Sequence, residues 1–286
     1  MKPAIVLCLV FIATRVFAAA DQLETTLNHQ YKDRIYTFRQ PMTAPVQQYD
    51  AQGNSPTASA LGPWTVYGRM QIRKIKVERT GVIIEGQRIG TKFGSASAVV
   101  PVKLKDQVTL QISVNGTLQS AGQFNSILEH IFAFTKEDFL ASLPEFWRAY
   151  AQVYLKSYSD DGEMIEFKTP GEVRQEYRKE PLEEAPPGVE TLKPRRGITP
   201  PQPKNTPDPQ RTKAATEQEL FGILLLTTTV DETGRITGVR LVRPLGLGLE
   251  ESSADTVRTW LFKPGTKDGK PVKIKMDMDI EFHQYH

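Results

Sequence analysis

Near the end of this chain, Val272, Ile274, Met276, Met278, Ile280 and Phe282 alternate with Lys273, Lys275, Asp277, Asp279 and Glu281. A period of two sustained over that length fits a β-strand, on which successive side chains point to opposite faces. One face is apolar throughout and the other is charged, so the strand belongs to a sheet covered on one side only. The residues before it supply the remaining elements. Gly222 opens the β-prone run Ile223–Val230, Asp231-Glu232-Thr233-Gly234 has hairpin-turn chemistry, and Arg235–Arg243 resumes the strand pattern before Pro244. After the loop Leu245-Gly246-Leu247-Gly248, the residues Leu249, Ser253, Val257 and Leu261 recur every four positions and predict a helix, with Trp260 beside its buried stripe and Pro264-Gly265 as its stop. Glu250 and Glu251 in its first turn complement the positive end of the helix dipole, and Arg258 the negative end. The expectation is a β-β-α-β unit whose sheet has two edges.

Upstream, prolines crowd the stretch from Pro181 to Pro209 among Glu, Lys, Arg and Thr, and aromatic residues vanish. Missing amide donors and a lack of apolar side chains predict an extended, polyproline-like spacer there. Before the spacer, Trp64, Val66, Met70 and Ile72 alternate, Ile75 and Val77 lead to a turn at Thr80-Gly81, and Val82-Ile83-Ile84 follows. Further β-prone runs at Ala98–Val102 and Val108–Val114 extend this into an antiparallel meander. Helices are expected after it. Phe124, Ile127, Leu128, Ile131 and Phe132 share one helical face, Thr135 and Asp138 are spaced as a capping box, and Ser142 with Pro144 marks a further helix start. That last helix carries the aromatic stripe Phe146, Trp147, Tyr150, Val153 and Tyr154, read as core packing. Strands first and helices after make this region α+β.

The N-terminus runs from Lys2 through the apolar stretch Ala4–Ala13 to Ala18-Ala19-Ala20, the form of a secretory signal. Thr14 and Arg15 interrupt it short of the roughly 20 apolar residues that cross a bilayer. Leu7 before Cys8 does not suit lipoprotein processing. Cleavage near Ala20 takes Lys2 and Arg15 away from a chain whose formal net charge is only +3. So small a balance does not point to nucleic acid or an anionic membrane. Cys8 is the single cysteine and leaves with the signal, so the mature chain is free of disulfides, which suits a bacterial periplasm. The expected division is a signal peptide at 1–20, a secreted α+β domain of unknown role at 21–180, a proline-rich linker at 181–209 and the C-terminal unit at 210–286.

Enzyme chemistry finds little footing. The histidines His29, His130, His283 and His286 lack metal-ligand clustering, with the terminal pair read as a frayed tail. Leu245-Gly246-Leu247-Gly248 lacks the Lys-Ser or Lys-Thr pair of a phosphate loop, and Asp160-Asp161 with Glu163 reads as a solvated turn. Neither a catalytic residue, a metal nor a cofactor is expected.

Five short pieces in order carry a resemblance: Asp231–Gly234, Leu247-Gly248-Leu249-Glu250, Val257–Pro264, Asp268-Gly269-Lys270-Pro271-Val272 and Ile280-Glu281-Phe282, with Pro207-Asp208-Pro209 as a lead-in. Together, over roughly residues 205 to 283, they are similar to the C-terminal domain of the TonB family of periplasmic energy transducers. The resemblance implies a periplasmic module that adds an extended peptide of an outer-membrane transporter to the edge of its sheet. The implied binding residues are Lys273, Ile274, Lys275, Met276, Asp277, Met278, Asp279, Ile280 and Glu281. Their main-chain groups give affinity, while lysines at one end and acids at the other bias register. The same charges also suit the protection of an exposed edge against aggregation. Force-transmitting members engage inner-membrane motor proteins through an N-terminal membrane helix, so that partner is implied only if residues 1–20 are retained. A soluble adaptor and a scaffold that dimerises through its last strand are the other expectations.

Overall fold

A computed structural model describes residues 20–56, 58–94, 98–159, 163–169, 171–173, 189–191 and 197–283. Residues 1–19 of the expected signal, the turn at 160–162, His286 and residues 181–188 and 192–196 of the expected linker lie outside them. The chain divides into two units, one drawn from Met1–Ile89, Lys103–Ser142 and Ser159–Met164, the other from Gly90–Val102, Leu143–Tyr158 and Ile165–His286.

Helix α1 (20–31), β1 (Ile35–Thr37), β2 (Val46–Tyr49), a helical turn α2 (Trp64–Tyr67) and the long strand β3 (Arg69–Glu78) lie in the first unit, together with β4 (Gly81–Phe93) up to Ile89 and β5 (Val99–Ser113) from Lys103. Helices α3 (Ala121–Ile131) and α4 (Lys136–Ser142) follow. The sheet order is β1-β3-β4-β5-β2, with β3 and β4 antiparallel across a tight turn and β2 parallel to β5 at one edge. Ile72, Ile75, Ile84, Leu110 and Ile112 of the sheet share a core with Leu27 of α1 and with Phe124, Ile127, Leu128 and Ile131 of α3. The alternation from Trp64 to Ile72 predicts strand throughout, but Trp64–Tyr67 instead winds into one helical turn after Pro63. The proline ring holds φ at −53°, and Trp64, Thr65 and Val66 are all buried, which a one-sided strand does not provide. Thr135 accepts from the Asp138 amide at 3.1 Å, in keeping with the capping box. Ser142 is turned away from its expected capping role: its hydroxyl donates to Phe139 O at 2.7 Å.

The second unit contains α5 (Glu145–Tyr154), the hairpin β6 (Leu155–Tyr158) and β7 (Ile165–Phe167), and the short strands β8 (Val189–Thr191), β9 (Ile198–Thr199) and β10 (Gln202–Asn205). Then come α6 (Lys213–Glu217), β11 (Gly222–Val230), β12 (Ile236–Arg243), α7 (Leu249–Arg258), β13 (Leu261–Lys263), β14 (Thr266–Lys267), β15 (Lys270–Pro271) and β16 (Lys273–Phe282). The principal sheet has the order β12-β11-β16-β8. Leu224, Leu226 and Val230 of β11 lie opposite Ile280, Met278 and Ile274 of β16, so both strands turn the same apolar face inward, and Leu249, Ala254 and Val257 of α7 are buried with them. The β11–β12 turn is closed by Asp231, whose carboxylate accepts from the Thr233 hydroxyl and from the Thr233 and Arg235 amides. These bonds, the Thr233 hydroxyl's first, hold its pKa below the ordinary carboxylate value. Gly234 sits at φ +86°, where a side chain would collide with Phe262 O.

Two expectations are corrected here. Leu261 continues the four-residue spacing of the helix, yet α7 ends at Arg258 and Leu261–Lys263 becomes β13, paired antiparallel with β10. The helix closes tightly, with the Thr259 and Trp260 amides bonding Thr256 O and Val257 O, and a partner strand from far upstream then captures the extended chain. That partner comes from the expected spacer. Where described, the proline-rich stretch is laid onto the unit: β8 pairs with β16, β9 with β14 and β10 with β13, and Pro201 is buried. Proline is tolerated on edge strands because an outward-facing amide has no ladder partner to lose.

Candidate strand-pairing edge

On one side β16 is paired with β11 from Ile274, opposite Val230, to Phe282, opposite Gly222. Its other side differs along the strand. Lys273, Ile274 and Lys275 are covered in parallel by Val189, Glu190 and Thr191 of β8. Beyond Lys275, no strand among the described residues pairs with that side, which leaves Met276–Phe282 as an open edge. Main-chain groups on such an edge lack ladder partners and are ready to accept an extended chain.

The side chains of β16 fall as alternation requires. Ile274, Met278, Ile280 and Phe282 are buried, Met276 is half-buried, and Asp277, Asp279 and Glu281 are exposed on the other face. Two of these acids are engaged across the sheet, and the third meets its neighbour two residues on. Asp277 accepts from the Thr227 hydroxyl at 2.6 Å, Asp279 lies 3.7 Å from Arg243 on β12, and Glu281 lies 3.5 Å from His283. Lys273 and Lys275 stand at the opposite, covered end.

A cavity of about 270 Å³ adjoins the open edge, lined by Asp208, Pro209, Arg211, Trp260 and the Asp279–His283 stretch. The segment that helps line it is fastened at several points. Arg211 donates to His283 O at 2.8 Å and Leu220 O at 2.6 Å, the Trp260 indole donates to Pro207 O at 2.9 Å, and Ser252 donates to Gln210 O at 2.6 Å. Thr212 caps α6 by accepting from the Ala215 amide, and its hydroxyl also donates to Leu247 O. Sequence reasoning passed over Arg211, a lone arginine whose value lies in the carbonyls that the fold brings to it. Arg258 pairs with Asp255 at 2.7 Å, away from the cavity lining.

Residues 209–283, which contain this edge and most of the cavity lining, match the family model described as Gram-negative bacterial TonB protein C-terminal. They are a TonB C-terminal domain. Among solved structures, the solution NMR structure of the Pseudomonas aeruginosa TonB CTD is 14% identical to the chain, with 34% of this chain and 96% of that one covered at a TM-score of 0.24. No curated protein matches the chain.

The start of α7 in the TonB C-terminal domain is more than a dipole complement. Glu250 is fully buried, and one of its carboxyl oxygens accepts from the Leu245 and Gly246 amides at 2.6 and 2.5 Å. Glu251 accepts from the Trp147 indole of α5 at 2.7 Å. Burial first, and the neighbouring Glu250 second, push the Glu251 carboxyl up to about 8, and burial raises that of Glu250 as well. The Leu245–Leu247 loop is itself paired with the end of β4: Phe93 donates to Leu245 O at 2.8 Å, and Leu247 to Thr91 O at 3.0 Å. Gly246 (φ +102°) is required there, since a Cβ would collide with Thr91 O. Phe93 in turn stacks on Trp147 with ring centroids 5.7 Å apart. Charged side chains and histidines form no metal-binding group of three among the described residues, and none of their helices is long and apolar enough to cross a membrane.

Proposed function

We propose that this is a periplasmic, non-catalytic protein-binding protein whose TonB C-terminal domain engages an extended segment of an outer-membrane TonB-dependent transporter by strand addition, in support of energy-coupled transport. The observation that carries this reading is the open Met276–Phe282 edge beside a cavity lined by Asp208, Pro209, Arg211 and Trp260. A partner strand entering there gains main-chain hydrogen bonds from β16 and packs side chains into the cavity, the usual division between affinity and specificity in strand addition. Asp208, Asp279 and Glu281 set the charge against which that end of the partner is read. In this reading the region 21–180 holds a second partner. Retention of residues 1–20 adds coupling to inner-membrane motor proteins, whereas cleavage near Ala20 leaves a soluble adaptor.

The test is an amide-resolved NMR titration of the whole chain with synthetic peptides copying periplasm-facing segments of outer-membrane transporters. Shifts are expected at Met276–Phe282 and at Asp208–Arg211. Peptide shifts confined to residues 21–140 sink this reading. Sedimentation over a range of concentrations distinguishes it from a scaffold in which two copies pair through the same edge.

A further inference from the structure

The open edge stops at Met276 because the chain itself covers the rest. Val189, Glu190 and Thr191 run parallel to β16 opposite Lys273, Ile274 and Lys275. The Glu190 carboxylate reaches Lys267 Nζ at 2.5 Å, on the β14 strand whose hairpin partner at that position is Lys270. An extended strand carrying one acid therefore lies at this end of the edge, where the register sets Glu190 on the Ile274 face of β16, away from Lys273 and Lys275, and Lys267 meets its carboxylate. Strand pairing itself is blind to side chains, since it uses only main-chain groups. Selectivity at this end comes from the carboxylate within reach of Lys267.

The covering strand is also weakly held. It is a parallel ladder of three residues, and parallel pairing is the less stable type per residue. Its ion pair is half-open to solvent, with side-chain exposures of 47% for Lys267 and 29% for Glu190, so it adds little to stability. What keeps it in place is its covalent connection to the unit, which raises its effective concentration at the edge.

We infer that the Lys267–Lys275 end of the β16 edge is a recognition subsite for an extended peptide bearing an acidic residue, and that Val189–Thr191 is its in-chain competitor. This rests on the reading of β16 as the partner-binding edge. In the resting chain a partner strand pairs with Met276–Phe282 alone. A longer acidic strand gains the Lys273–Lys275 stretch only by displacing β8.

The experiment uses the full chain, a Val189→Pro/Thr191→Pro variant that disables β8, and a seven-residue probe peptide copying Pro187–Lys193. In the variant the probe is expected to shift the amides of Lys273–Lys275 and to bind at least about tenfold more tightly than to the unaltered chain. A probe with glutamine in place of its glutamate, or a further Lys267→Glu change in the protein, is expected to lose several-fold in affinity. Equal affinity for both chains overturns the competitor. So do shifts restricted to Met276–Phe282 in both chains, an outcome that leaves the edge reading standing. Shifts nowhere along β16 in either chain overturn both. A Glu190→Lys chain, which keeps the backbone free of new prolines, gives a second readout. Amide exchange at Lys273–Lys275 is expected to quicken while the β11–β16 ladder stays protected, and unchanged protection there counts against the inference.

Discussion

The Trp147 indole donates to the Glu251 carboxyl at 2.7 Å across 104 positions of sequence, joining α5 to the start of α7. Glu251 is held mainly protonated at neutral pH by burial and by Glu250 beside it, with its pKa at about 8 against an ordinary 4.5. A folded-state pKa raised above the unfolded one contributes stability that is complete below the unfolded value and is lost as pH rises through the folded value. Glu250 shifts the same way, and Asp255 adds a further negative charge nearby. The chain is therefore expected to lose resistance to urea steadily between pH 5 and pH 9. Glu251→Gln keeps an acceptor for the indole and should flatten that dependence, with its largest gain over the parent at the alkaline end. A parent chain whose urea midpoint rises over this range contradicts the assignment.

Glu250→Ala removes the acceptor for two amides of a buried loop, Leu245 N and Gly246 N. Unsatisfied buried donors are costly, so the variant should be destabilised by about 1–3 kcal/mol in equilibrium unfolding. Glu250→Gln, which retains a carbonyl oxygen, should lose less. Equal losses for the two variants would mean that the amides are not what Glu250 serves.

Arg211 binds the carbonyls of His283 and Leu220 and so ties the lead-in of the TonB C-terminal domain to the end of β16. Arg211→Lys keeps the charge but loses the planar fork that reaches both carbonyls. The expected result is a stability loss of about 1–3 kcal/mol, with amide exchange quickened at residues 207–220. Unaltered exchange in that segment would remove Arg211 from its role.

The acids on the open edge should behave differently. Asp279 and Glu281 are exposed; Asp279 lies 3.7 Å from Arg243 and Glu281 lies 3.5 Å from the His283 ring. Glu281→Lys is expected to leave the unfolding midpoint within about 0.5 kcal/mol of the parent. Its effect should appear in binding of charged peptides, by up to about fivefold, the equivalent of about 1 kcal/mol for a solvent-exposed pair. A change of the same size for peptides of either charge would show that Glu281 does not read charge.

How far the sequence could be read depended on whether the signal was local. The alternation through Ile274, Met278, Ile280 and Phe282 assigned strand and buried face together, because period two leaves one consistent placement. Asp231–Gly234 read as a turn and is closed as one by the Asp231 side chain. The spacing of Leu249, Ser253 and Val257 read as a helix, but the same spacing carried on to Leu261, which pairing with β10 made extended. A four-residue period marks a helical face and is silent about where a competing strand will intervene.

By itself, then, the sequence determined that β11, β12 and β16 are strands, that α7 is a helix and which side of β16 is apolar, since these follow from periodicity along one chain. The tertiary structure alone decided the rest. Which part of the β16 edge is open depends on β8 lying against Lys273–Lys275, a pairing made by main-chain groups that every residue but proline carries in full, so composition does not announce it. Whether Glu250 and Glu251 are solvated carboxylates or buried ones with raised pKa values depends on Trp147 and on the Leu245–Leu247 loop closing over them. Burial belongs to the assembled fold and not to the helix turn that carries the carboxylates.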